Sequence, residues 1–175
     1  PERRIRPGGV ASHADPNSWL MQIRSSDNAQ SWSEPEPLFI HPRAGNQDPC
    51  LFQLTDGTLV CSTFSWELLC DDVEELDLDG ARKGPTGWWM TNLGACVVRS
   101  EDGGETWTGP EYVGPLPGSN NRAIGITNRG ACRGGMIQRE DGTVLFPVYG
   151  APSADAPRRA YVYASDDSGA TWQML

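Results

Sequence analysis

The chain has 175 residues and a formal net charge of −9, with 20 glycines, 14 prolines and 7 tryptophans. That composition is globular and heavily punctuated by turns. Its acidic balance argues against nucleic acid or an anionic membrane as partner, while leaving room for a small anionic ligand held by a local field. No apolar run approaches the roughly 18 to 20 residues that cross a bilayer, and no basic-then-apolar leader opens the chain. The sequence starts at Pro1 and stops three residues after a repeated motif, so it reads as a piece of a longer protein whose targeting signal could lie outside it. Five cysteines, Cys50, Cys61, Cys70, Cys96 and Cys132, form no CxxC pair and no metal-finger spacing. They sit in apolar runs and are expected to be mostly free and buried, with a Cys61–Cys70 bridge left open. The compartment is not decided.

In chain order, the first predicted strand is "SWLMQIRS", Ser18 to Ser25, and the next "EPLFI", Glu36 to Ile40. A hairpin follows in "CLFQLTDGTLVCSTFSW", Cys50 to Trp66, where β-branched and apolar residues flank Asp56-Gly57. The segment Glu67 to Asn92, with its acidic "CDDVEELDLDG", is expected to be the largest loop. "GACVVRS", Gly94 to Ser100, and "TGPEYVG", Thr108 to Gly114, are further strands. A second hairpin lies in "GGMIQREDGTVLFPVYG", Gly134 to Gly150, turning at Asp141-Gly142, and "AYVYAS", Ala160 to Ser165, follows it. Nothing reads as a long amphipathic helix.

Three octapeptides share a frame: "SSDNAQSW" at Ser25 to Trp32, "SEDGGETW" at Ser100 to Trp107 and "SDDSGATW" at Ser165 to Trp172. Each comes after the third strand of a unit and leads to the fourth. The unit is therefore a four-stranded antiparallel meander repeated along the chain, which predicts an all-β fold of β-propeller blades. The expected division is half a blade over 1–44, a full blade over 45–118 and an incomplete blade over 119–175, the last without its fourth strand. Uncovered edges of that kind predict poor folding alone or association, for instance with another half-ring.

The frame Ser-x-Asp-x-Gly-x-Thr-Trp suits a tight strand-to-strand turn. The carboxylate accepts N–H bonds from the residues that follow it, the glycine takes positive φ, the hydroxyls tie the ends, and the tryptophan plugs the strands of its blade. The elements so placed are Ser25, Asp27 and Trp32; Ser100, Asp102, Gly104, Thr106 and Trp107; and Ser165, Asp167, Gly169, Thr171 and Trp172. The first copy has Ala29 for glycine and Ser31 for threonine, so its turn is expected to be strained or open differently. These residues are read as folding elements without chemistry.

This frame resembles the Asp-box, or BNR repeat, of sialidases (neuraminidases) and their relatives, over nearly the whole chain. The resemblance implies about half of a six-bladed propeller with a site at the centre of one face. It further implies an arginine triad that grips a sialic acid carboxylate, an Asp acid/base, and a Tyr nucleophile activated by a Glu. Carried over residue by residue, it makes Asp15, ten before Ser25 in "SHADPNSW", the acid/base. Arg4 in Glu2-Arg3-Arg4 falls on the substrate side, at a longer spacing from Asp15 than the family's pattern. Asp48 in "NQDPC" matches a polar pocket residue. Gln138, Gly142, Pro147 and Tyr149 match an inner-strand pattern in which Tyr149 contacts substrate. Apart from the resemblance, Arg129 and Arg133 in "NRGACRGG" flank the same inner strand, where the two readings are a face toward an anionic ligand and solvation of one of them. The motif that carries the first triad arginine is missing, and the remaining arginines, the nucleophile and its Glu would lie beyond Leu175.

Other chemistry is thinly represented. His13 and His41 have no metal spacing. "DLDG" at Asp77 to Gly80 lacks the rest of a calcium loop. There is no phosphate-cradling glycine loop and no G-x-S-x-G elbow. No cofactor is expected. The functional expectation is a sialidase-like exo-glycoside hydrolase, inactive as this piece alone, acting on sialic acid or a related sugar of a glycan and completed by the remaining blades. The alternative is a non-catalytic BNR-repeat propeller that binds glycans or proteins.

Overall fold

The computed structural model describes residues 15, 18–70, 74, 81–83, 87, 89–119, 130–153 and 156–175. Among the described residues all regular secondary structure is strand. The eleven strands are β1 (Leu20–Gln22), β2 (Glu36–Phe39), β3 (Ala44–Gln53), β4 (Leu59–Cys70), β5 (Arg82–Lys83), β6 (Trp89–Ser100), β7 (Thr108–Tyr112), β8 (Ile137–Gln138), β9 (Val144–Gly150), β10 (Arg159–Ser165) and β11 (Gln173–Met174). They make three antiparallel sheets in chain order: β1-β2, then β3-β4-β6 with β5 and β7 both on the outer side of β6, then β8-β9-β10-β11. Each sheet is a meander, the arrangement of successive propeller blades. The third sheet does begin a fourth strand, since Gln173 pairs with Ala164 and Met174 with Tyr163.

Local chemistry explains the hairpins. Gly57 and Gly142 take φ of 92° and 91°, where a side chain would be strained. The carboxylates of Asp56 and Asp141 accept the N–H of Thr58 at 2.9 Å and of Thr143 at 3.1 Å. The expected Glu67–Asn92 loop is shorter than its composition suggested. β4 runs on to Cys70 and β6 begins at Trp89, because Leu68 and Trp66 pack on Met90 across that pairing. "DLDG" lies outside the described residues, as do Arg4, His13 and Arg129. Cys61, Cys96 and Cys132 are free and buried and Cys50 is free and half-buried, so Cys61 makes no bridge to Cys70.

The octapeptide turns are alike in all three copies. The serine hydroxyl donates to the aspartate at 2.7 Å in each, from Ser25, Ser100 and Ser165. The same hydroxyl accepts the N–H of Ala29, Gly104 or Gly169 at 2.7–2.8 Å. The second carboxylate oxygen takes the hydroxyl of Ser31, Thr106 or Thr171. Ala29 reaches φ of 64° beside Asn28 at 57°, matching Gly104 at 88° and Gly169 at 83°. The first turn therefore does not open. Ser31 supplies the hydroxyl that threonine supplies elsewhere, and the departure is confined to a left-handed alanine, a strain on the order of 1 kcal/mol.

The tryptophans plug the joints between sheets rather than their own strands. Trp107 packs with Leu20, Leu38 and Phe39 of the first sheet and Cys61 and Val98 of the second. Trp172 joins the main core, which merges Val60, Phe64 and Val97 of the second sheet with Phe146, Val148 and Tyr163 of the third, and it tilts against Phe146 at 5.4 Å. Among the described residues no sheet precedes the first one, and Trp32 is left 56% exposed.

A second feature repeats at the joints. Arg24, just before the first octapeptide, donates from Nη1 to the carbonyl of Gly103 at 3.0 Å. Arg99, just before the second, donates from Nε to the carbonyl of Ser168 at 2.8 Å. Gly103 and Ser168 hold the same place, the fourth, in their octapeptides. Each arginine thus latches its sheet to the turn of the next. The third octapeptide is preceded by Ala164. Two further ties cross the second joint: Gln138 accepts the Thr55 N–H at 2.8 Å, and Ser168 donates to Asp56 at 2.7 Å.

Two outcomes are expected. Loss of the half-shielded Arg99 bond in Arg99→Ala costs about 1.5–3 kcal/mol in urea denaturation, the range for a charged hydrogen bond, whereas Arg139→Ala, a loop ion pair with Asp141, costs under about 1 kcal/mol. The second concerns acid. The hydroxyl and N–H of Ser31, with the hydroxyl of Ser25, hold Asp27 down from 3.8 to about 2, and Thr106 with Ser100 holds Asp102 well below its ordinary value. A carboxyl whose pKa folding lowers contributes stability that is present in full above its unfolded pKa and lost as pH falls through the folded one. The melting temperature should fall steeply between about pH 4 and about pH 2, and less steeply in Asp102→Asn.

Candidate functional site

β3 is the first strand of the second sheet and lies at its edge, and its opening residues Asn46 and Gln47 are buried polar groups that face further buried polar residues, Ser62, Thr63, Ser65 and Glu67, on β4. Ala44, Gly45, Asn46 and Gln47 are buried, and the pairing with β4 shifts between Gln47 and Cys50. Asp48 sits in that bulge at φ of 48°. Aspartate tolerates the left-handed region better than most side chains, and bulges of this kind re-aim a side chain out of the ladder. Strained backbone of this type clusters at functional sites.

The bulge turns Asp48 toward the third sheet. Arg133 Nε lies 3.2 Å from Asp48 Oδ2, as an ion pair rather than a directed hydrogen bond. The Tyr149 phenol beside Arg133, with the Asp48 charge second, raises the arginine's pKa. Tyr149 is positioned by the Ala131–Tyr149 bridge, whose N–H···O bonds are 2.8 and 2.9 Å. The guanidinium is 67% exposed and the Asp48 side chain 32%, so the pair faces solvent at the joint. The structure thus brings three sequence-predicted residues, Asp48, Arg133 and Tyr149, into one cluster.

Asp15 reaches the same strand by another route. It is 1% exposed. Its carbonyl accepts the Ser18 N–H at 2.9 Å. The Ser18 hydroxyl donates to the Asn46 carbonyl at 2.8 Å, and the Asn46 N–H returns to the Ser18 carbonyl at 2.9 Å. Asn46 Oδ1 in turn accepts the Ser65 hydroxyl at 2.8 Å. Asp15 is therefore fixed against β3 two residues before Asp48, on the side of the first sheet. Arg4 lies outside the described residues. Gln138 and Gly142 belong to a hairpin, with Gln138 Nε2 donating to the Gly142 carbonyl at 3.1 Å, and they do not join the cluster.

Two polar groups near the start of β3 were not among the sequence candidates. Glu67 stands opposite Ala44 in the β3–β4 register and is 7% exposed. Arg43 meets it, Nε to Oε1, at 3.4 Å. Burial raises the Glu67 pKa, against the lowering effect of Arg43. Its acidic downstream neighbours hid it by making the segment read as loop. A thiol nucleophile is disfavoured, because burial pushes Cys61 and Cys96 up to about 12 and raises Cys132 as well. No group of three or more His, Cys, Asp or Glu side chains with metal-binding geometry occurs among the described residues.

The cluster can offer hydrogen-bond acceptors at Asp48, donors at Arg133 and a phenol at Tyr149, while the shielded Asp15 carboxyl is held against the same strand from the side of the first sheet. Such groups are chemically able to bind hydroxyls. Comparisons with known proteins agree on the fold that carries them. A protein of unknown function from Dyadobacter fermentans superposes with a TM-score of 0.80 at 35% identity, over 95% of this chain and 46% of that one. A mutant of the NanB sialidase from Streptococcus pneumoniae superposes at 0.56 and 12% identity, over 90% and 39%. A Hadza microbial sialidase superposes at 0.53 and 20% identity, over 87% and 30%. The chain thus spans less than half the length of each, and its sheets have the fold of sialidase propeller blades. No curated protein matches it. The profile of the BNR repeat-like domain matches residues 80–175, more than half of the sequence, and the chain belongs to the BNR repeat-like domain family.

Proposed function

We propose that these blades form part of the pocket of a sialidase-like exo-glycoside hydrolase, which removes a terminal sialic acid or a related sugar from a glycan. The observation that carries this reading is the convergence of Asp48, Arg133 and Tyr149 at one blade joint, with Asp15 buried against the same strand. In this reading Asp15 protonates the glycosidic oxygen as the bond from it to the anomeric carbon breaks, and water supplies the hydroxyl that the sugar keeps. Asp48 accepts a sugar hydroxyl, and Arg133 and Tyr149 hold the sugar's far side. Arg4 belongs on the substrate side by resemblance alone. Further blades supply the groups that stabilise the charge at the anomeric carbon.

A second reading, a non-catalytic propeller that binds glycans, is favoured by one observation. Arg133 is already engaged by Asp48, so it offers less to a ligand carboxylate than an unpaired arginine would.

The test is turnover of a fluorogenic sialoside by the full-length protein beside Asp15→Asn, with folding checked by circular dichroism. The expected result is turnover that the variant loses by on the order of a hundredfold or more. Unchanged turnover in the variant removes Asp15 from the acid role. Absence of turnover in folded protein that is retained on a glycan array selects the binding reading.

A further inference from the structure

Three polar residues, His41, Arg43 and Glu67, lie together where the chain enters β3, apart from the Asp48 cluster. Glu67 Oε1 pairs with Arg43 Nε at 3.4 Å, a long contact for an ion pair. Glu67 Oε2 is enclosed and has no hydrogen-bond partner among the described residues. The Arg43 N–H donates to His41 Nδ1 at 3.1 Å. That bond requires a lone pair on Nδ1, so the neutral ring carries its proton on Nε2. Burial and the nearby Arg43 guanidinium both hold the imidazole to that neutral form.

Alternation along β4 puts Glu67 on the same face as Ser65, and Ser65 bonds to Asn46, which bonds to Ser18 beside Asp15. Glu67 therefore belongs to the cleft between the first two sheets, the one that also holds Asp15. Its partner Ala44 precedes Asp48 by four residues, a separation along the strand on the order of 10 Å. A carboxylate that gives up water without full hydrogen bonding is costly to keep. An apolar residue or glutamine would fit a purely structural role at that position better. The 63% exposed Arg43 side chain gives the group its contact with solvent.

We propose that His41, Arg43 and Glu67 form an outer subsite for a second, neutral sugar unit of an extended glycan, reading its adjacent hydroxyls with two donors and one acceptor. The subsite rests on the proposed glycosidase reading and extends it, since Glu67 lies one pleat along from the Ser65–Asn46–Ser18 contacts that hold Asp15, on the same side of the sheet. The chemistry matches: a guanidinium beside a carboxylate donates to one hydroxyl and accepts from the next, and the imidazole N–H adds a third contact. The ion pair also leaves the subsite without net charge, which suits a neutral sugar better than an acidic one.

The test compares the fluorogenic monosaccharide sialoside with a sialylated trisaccharide, using kcat/KM in the full-length protein and in Arg43→Ala and Glu67→Gln. Arg43 is exposed, so its variant should fold. The expected result is a loss on the trisaccharide about tenfold greater than on the small sialoside, carried mostly by KM, as for one charge-assisted hydrogen bond. Equal losses on both substrates, or none, overturn the outer subsite and leave the glycosidase reading standing. Wild-type protein that neither turns over nor retains either sugar overturns both.

Discussion

A small antiparallel sheet with apolar residues on both faces cannot stand in water, and every other feature of this molecule follows from that constraint. Val97 and Val98 are adjacent on β6 and point to opposite faces, yet both are fully buried. One faces the joint with the third sheet and the other the joint with the first. Burying both faces of the middle sheet demands neighbours on either side, and the tryptophan turns supply the surface that meets them. Sheet stacking is thus the source of stability, and the turns set how the sheets meet.

The turns themselves are held by polar chemistry that costs little because it is local. One aspartate collects hydroxyl and N–H donors from residues two to four positions away, and a serine hydroxyl serves as both donor and acceptor within the same loop. Because these bonds are all within the loop, they restrict it without help from the neighbouring sheet, which lowers the conformational entropy lost when the joint forms. The polar groups at the start of β3 are a different case. Asn46, Ser65 and Ser18 are buried and bonded across two sheets, and Asp48 holds a left-handed conformation in a bulge. These residues add little that apolar packing would not, which is the reason to look for a ligand there.

What the sequence disclosed and what it withheld divide along the range of the interactions. The Asp56-Gly57 and Asp141-Gly142 turns, and all three octapeptide turns, are set by neighbours a few residues apart, so pattern alone found them. Asp48 was singled out on another ground, the resemblance of its "NQDPC" stretch to a family pattern, since local pattern alone would also fit a cap at a strand entry. The arginine latches were not legible, because Arg24 and Arg99 act on turns 79 and 69 residues away and the third copy has alanine in their place. The destination of the tryptophans was missed likewise: a plug within a sheet and a plug between sheets give the same local pattern. Glu67 was hidden because the extension of β4 depends on a partner, Thr91 of β6, that the acidic run between them disguises.

The latches read backbone and ignore side chains, and that has a consequence for how such a molecule can change. The accepting residues are Gly103 and Ser168, with Asn28 at the matching place in the first turn, three unlike side chains that share a left-handed backbone. A carbonyl in the right place is all the arginine requires. Duplicated blades could therefore drift apart in sequence at that position without losing the latch, and in the third sheet the Ser168 side chain has taken up a second tie, to Asp56. The selective pressure of the latch would fall on backbone shape, which leaves the side chain there at liberty to acquire a use of its own, as Ser168 has.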